Sequence, residues 1–132
     1  MFVRKDHPLL ALEQLTVSDL AKYPMVSPSD SRPYGETIRN IFENEDKDSA
    51  KYLHIVDFFP IARQIVKTSD AVGVVSEGFF GSAKMRSEFV SLSTLSLFHR
   101  QPMCCAIRSR WEPNPPVRAF IAALERAFPP AK

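Results

Sequence analysis

Glycine is scarce in this chain, with four among 132 residues, and Gly73, Gly78 and Gly81 do not fall into the G-x-G-x-x-G spacing that wraps backbone amides around a pyrophosphate. Cysteine is scarcer still. Cys104 and Cys105 are adjacent, so on a strand they point to opposite faces and cannot easily bridge each other; they read as reduced, buried strand residues. His7, His54 and His99 lie far apart and form no H-E-x-x-H or similar ligand set, so no metal site is expected. No serine sits in a G-x-S-x-G elbow, and Cys105 on a strand reads as packing rather than as a nucleophile. Together these absences argue against an enzyme and call for no cofactor. An excess of one charge is also missing: 17 basic against 15 acidic residues leave a net charge of +2, which by itself implies neither a nucleic-acid nor a membrane surface. No apolar run approaches the roughly 20 residues that span a bilayer. Met1 to Asp6 reaches charge at once and has no apolar h-region, which points to a cytoplasmic protein.

What is present is a chain with 45% hydrophobic residues, enough for one core in one domain. Phe2-Val3 reads as the end of a strand running into Arg4-Lys5-Asp6-His7-Pro8, where proline removes the next donor, so the first strand looks truncated. Ser18 fits the N-cap of a short helix over residues 19–22, with Asp19 in its first turn and Pro24 closing it. Met25-Val26 suits a short buried strand, followed by the turn-forming stretch Ser29-Asp30-Ser31-Arg32-Pro33-Tyr34-Gly35. Ile38, Ile41 and Phe42 then recur at helical spacing from Glu36 to about Glu45; the acidic run Glu43, Glu45, Asp46 and Asp48 opposes the helix dipole and predicts fraying there.

Residues 52–56 read as the next strand, rich in β-branched and aromatic side chains. Pro60 opens a helix over residues 61–68, with Ile61, Ile65 and Val66 on one face, and the near-continuous run Ala71-Val72-Gly73-Val74-Val75 suits a strand of a parallel sheet covered on both sides. Strand, helix, strand, helix, strand is the order of an α/β layer with a mostly parallel sheet. Beyond Gly81, residues 89–97 and 103–107 read as two further strands, leaving room for an antiparallel edge. Pro115-Pro116 opens a last helix on which Val117, Phe120, Ile121, Leu124 and Phe128 follow the amphipathic repeat, closed by Pro129-Pro130.

The His7-Pro8-Leu9 step after a strand, the Val17-Ser18-Asp19-Leu20 turn, Met25-Val26 with its polar loop, the Ser69-Asp70-Ala71-Val72-Gly73 entry to a strand and the Ala119-Phe120-Ile121 helix occur in an order that resembles LysR-type transcriptional regulators over most of the chain. That resemblance implies a fold like a type II periplasmic binding protein, in which two α/β subdomains hinge around an effector site. Residues 1–112 then look like the second effector-binding subdomain, and residues 113–132 like the helix that returns to the first. DNA contact would fall to an N-terminal helix-turn-helix outside these residues.

The resemblance further implies that effector contacts come from Ser31, Arg32, Pro33 and Tyr34 and from the next helix start, near Phe59. A helix N-terminus beside Ser and Arg side chains suits an anion, such as a small carboxylate. Considered without the family, the loop reads as an ordinary turn with Arg32 in solvent, and Phe58 reads as packing that fixes the helix entry. The stripe Phe120, Ile121, Leu124 and Phe128, whose partner subdomain is absent, predicts self-association. Two other readings fit the same residues: half of a solute-binding protein of this fold, or a stand-alone module that dimerises through its last helix.

Overall fold

The computed structural model describes residues 1–29, 34–92, 97–98 and 112–127, and it falls into two compact units, residues 1–99 and 100–132. The expected strand over residues 103–107, with Cys104 and Cys105, lies outside the described residues.

The first unit is built on five short strands: β1 (Phe2–Arg4), β2 (Met25–Ser27), β3 (Leu53–Ile55), β4 (Val72–Gly73) and β5 (Phe89–Ser91), in the order β3-β2-β4-β1-β5. β2 pairs in parallel with both β3 and β4, while β1 runs antiparallel to β4 and β5. The antiparallel edge expected between residues 89–97 and 103–107 involves residues outside those described; among the described residues β5 pairs antiparallel with β1, and β1 alone opposes the other four. Of residues 71–75 only Val72–Gly73 counts as strand, but the ladder reaches further: Val72 N–H donates to the Pro24 carbonyl at 2.8 Å and Val74 N–H to that of Val26 at 3.0 Å.

The pleat divides each strand between two cores. Val3, Met25, Val72 and Val74 join Ile38, Ile41 and Phe42 of helix α2 (Tyr34–Glu43). Phe2 and Val26 join Ala62 and Val66 of helix α4 (Phe59–Thr68) with Met85 and Phe89. Ile61, expected on the buried face of α4, is 53% exposed instead; the face that meets the sheet is carried by Ala62 and Val66, with Ile65 half-buried beside them.

Helix α1 spans Val17–Leu20, and its N-cap is Thr16 rather than Ser18. Thr16 Oγ1 accepts the Asp19 N–H at 3.2 Å, and Asp19 Oδ2 accepts the Thr16 N–H at 3.1 Å, a reciprocal capping box. The Ser18 hydroxyl turns outward to donate to Glu45. The acidic end of α2, where the dipole argument expects fraying, carries a formed cap. Asp46 adopts φ 53°, its N–H donates to the Glu43 carbonyl at 3.1 Å, and Lys47 N–H donates to that of Phe42 at 2.9 Å, which closes the helix with a Schellman turn. Lys47 Nζ then reaches the Ala21 carbonyl at 2.7 Å.

Four short elements carry no apolar period of their own: a 3-10 turn (Pro8–Ala11) and helices α3 (Ser49–Tyr52), α5 (Glu77–Phe80) and α6 (Ala83–Glu88). The 3-10 turn is capped by buried His7, whose Nδ1 accepts the Leu9 N–H at 3.0 Å. The ring proton therefore sits on Nε2 and is donated to the Asp70 carbonyl at 3.0 Å, tying the end of β1 to the approach to β4. α6 is joined to α4 by Arg63, which donates to both carboxylate oxygens of Glu88 at 2.6–2.8 Å. This fork holds the Glu88 pKa below its ordinary value, chiefly through the hydrogen bond from Arg63.

In the second unit, α7 (Pro115–Ala127) forms where the Pro115-Pro116 start predicts it, with the Asn114 side chain accepting the Val117 N–H at 3.1 Å. No residue of α7 is buried and Phe120 is 62% exposed. Phe128 lies outside the described residues.

Candidate functional site

Because β2, β3, β4 and β5 run the same way, their carboxyl ends, at Ser27, Ile55, Gly73 and Ser91, lie along one edge of the sheet. The chain leaves β2 toward β3 by way of α2, then crosses β2 through α4 to reach β4 on its other side. The two connections use opposite faces, so the carboxyl ends of β2 and β4 form a topological switch point, the place where open α/β sheets bind ligands.

Ser27 sits at this point, fully buried; its hydroxyl donates to the Ser29 carbonyl at 2.8 Å, a local bond just beyond the strand. Of the predicted contacts, Ser31, Arg32 and Pro33 lie outside the described residues. Tyr34 opens α2 and is half-buried, its ring centroid 5.4 Å from that of Phe98. Phe59 opens α4 and is likewise half-buried, with ring contacts to Phe2 at 6.4 Å and to Phe79 at 4.5 Å. The sheet thus sets Tyr34 and Phe59 at the starts of two helices along the same edge.

Phe58, expected to be packing, is 61% exposed. Its backbone explains why: as N-cap of α4 it adopts an extended conformation outside the helix while its carbonyl receives the Ile61 N–H at 3.0 Å and the Ala62 N–H at 3.3 Å. With those two donors used internally and Pro60 contributing none, the α4 start has little left to offer an anion. Phe79, 47% exposed, was missed with the rest of α5; the only local signal was Ser76 ahead of Glu77, a cap type followed by an acidic first turn.

The opposite edge carries an open polar depression of about 340 Å³ lined by Arg4, Asp6, Lys67, Thr68, Ser69 and Asp70. Its groups already have protein partners, in the depression or beside it, Lys67 pairing with Glu88 at 3.9 Å. Arg4 donates to Asp70 at 2.6 Å and pairs with Asp6, Thr68 donates to the Gln64 carbonyl at 2.9 Å, and Ser69 donates to that of Ile65 at 2.7 Å. The hydrogen bond to Asp70, then that to Asp6, raises the Arg4 pKa above its ordinary value. This depression closes the C-terminus of α4. Among the described residues no group of His, Cys, Asp or Glu could hold a metal ion, and no helix is long and apolar enough to cross a membrane.

The model of the family described as the LysR substrate binding domain matches residues 1–129. The chain belongs to that family. Its α/β architecture, a mixed sheet flanked by helices with a further helix near the end, is the type II periplasmic-binding-protein-like fold of LysR substrate-binding domains. The LysR substrate-binding domain is the effector-binding regulatory part of a transcription regulator, a family of regulators rather than enzymes. No curated protein and no solved structure matches the chain.

Proposed function

We propose that this domain senses a small molecule at the carboxyl edge of its parallel strands, in the manner of a second effector-binding subdomain, and that the molecule carries a carboxylate or similar anion. The observation that carries the reading is the switch point between β2 and β4, flanked by the starts of α2 and α4. Ser31, Arg32, Pro33 and Tyr34 are assigned to the anion and Phe59 to the wall of the site. Since the α4 start has few free donors, the charge on the effector falls to Arg32 and the loop around it. Binding then biases how copies of the regulator assemble, with DNA held by a helix-turn-helix outside residues 1–132. Self-association of this domain through α7 belongs to the same reading, supported by the exposed Phe120 on its apolar stripe.

A thermal-shift screen of small carboxylates on the full-length regulator, repeated with Arg32→Ala, tests the site. A stabilising carboxylate should lose its shift in the variant, by about tenfold or more in apparent affinity if one charge-assisted hydrogen bond worth about 1.5–3 kcal/mol is removed. Equal stabilisation of both proteins removes Arg32 from the site.

A further inference from the structure

The α4 and α5 side of the carboxyl edge is aromatic where it meets solvent. Phe79 sets its ring against Phe59 at 4.5 Å and 68°, an edge-to-face pair, yet stays 47% exposed; the neighbouring Phe58 is 61% exposed. The pair is held from behind. Phe59 contacts Phe2, which also meets Phe80 at 6.4 Å and Phe89 at 5.1 Å, and the Phe2 ring fills the space that a side chain on Gly73 would take. Phe59 is thus packed on the core and Phe79 rests on it with part of its ring open to solvent. α5 follows directly from the carboxyl end of β4, which places Phe79 beside the switch point rather than at the far edge.

Two acids flank these aromatic residues in the chain. Asp57, just before Phe58, and Glu77, in the first turn of α5, are both exposed acids. They disfavour a second negative charge on that side of the ligand, and the α4 start, with Pro60 and with its Ile61 and Ala62 amides already bonded to Phe58, does little to neutralise one.

Resting on the effector-site reading above, we infer that the effector carries an aromatic ring and no more than one negative charge, with the ring seated against the exposed part of Phe79. An edge-to-face or offset contact with an aryl ring is worth about 0.5–1.5 kcal/mol beyond the area it buries, a gain that an aliphatic ring of similar size does not receive.

The test is calorimetric titration of the full-length regulator with benzoate, cyclohexanecarboxylate and succinate, on the native protein and on Phe79→Leu and Phe79→Ala. Benzoate should bind, cyclohexanecarboxylate several-fold more weakly, and succinate more weakly still. Phe79→Leu, which keeps apolar bulk without the ring, should weaken benzoate by roughly twofold to tenfold and leave cyclohexanecarboxylate within twofold, a difference that a merely destabilised fold does not produce. Succinate binding at least as tightly as benzoate overturns the aromatic inference and leaves the anion site standing. Equal affinity for the two rings overturns it as well, as does a Phe79→Leu variant with native benzoate affinity. Failure of all three compounds to bind overturns the inference together with the effector-site reading.

Discussion

Asp19 does three jobs with one carboxylate: it accepts the Lys22 ammonium at 2.7 Å, the Thr16 hydroxyl at 2.6 Å and the Thr16 N–H at 3.1 Å. All three favour the ionised form, and with the Lys22 hydrogen bond the largest cause they lower its pKa from 3.8 to about 2. A carboxylate whose pKa is depressed on folding contributes stability in full above its unfolded pKa and loses it as pH falls through the folded one. The cap of α1 should therefore be intact above pH about 4 and fail as pH approaches about 2. Following the Asp19 carboxyl carbon by NMR checks the first half of this, and titration near 3.8 would remove the capping box as its cause. Stability measured against pH checks the second: Asp19→Asn should be less stable at neutral pH, and its acid limb flatter over that window. Lys22 is exposed, so the ammonium part of the effect should shrink with added salt.

At the scale of elements, β4 is decided by one missing side chain. Phe2 and Gly73 are register partners on β1 and β4, and a Cβ on Gly73 would lie 2.4 Å from Cε1 and Cζ of Phe2. The ring has no room to withdraw, being 1% exposed and packed edge-on against Phe89. Gly73→Ala should destabilise the domain by about 1–3 kcal/mol, seen as a lower urea midpoint with an unchanged slope. Phe2→Leu should cost less in the Gly73→Ala background than alone, a coupling that a double-mutant cycle reads directly; additive costs would mean that the two residues do not share the space.

Gly73 also shows what was legible in the sequence. The Ala71-Val75 run announced a buried strand but not which face lacked a side chain, since that depends on a register set by β1. The helices α2, α4 and α7 were read from apolar periodicity and the strands near Phe2, Met25, Leu53 and Val72 from short apolar or β-branched runs; such patterns mark the element, but not its burial, since no residue of α7 is buried and Ile61 of α4 is exposed. α3, α5 and α6 were not read in this way, because four to six residues are too few for a period to emerge. α3 and α6 start on single side-chain caps, the Asp48 carboxylate accepting the Ala50 N–H at 3.1 Å and the Ser82 hydroxyl accepting the Met85 N–H at 3.4 Å, while α5 has no side-chain cap. Tyr34 and Phe59 came from the family resemblance, and the structure sets them along one edge. The exposure of Phe58 and Phe79 was hidden because sequence alone does not tell a core aromatic from one left in solvent at a helix entry.

For the whole molecule, α7 sets the question of assembly. It is a thirteen-residue helix with Val117, Phe120, Ile121 and Leu124 at amphipathic spacing, none of them buried. Helices of this kind gain most of their stability from packing of the apolar face, because propensity alone is marginal at that length. Two copies of α7 meeting about a two-fold axis would bury the same stripe on both sides, and an isologous contact closes after two copies. The expected result is a weight-average mass, in sedimentation equilibrium, that rises from the 14.9 kDa of one chain toward that of a dimer with concentration. Phe120→Asp should shift the protein back to monomer while leaving its far-UV circular dichroism close to native, since Phe120 is largely exposed within the chain and adds little to its own core. A well-folded monomer at high concentration before any substitution would overturn self-association through α7. A dimer that survives Phe120→Asp unchanged would instead move the interface to another surface of the chain.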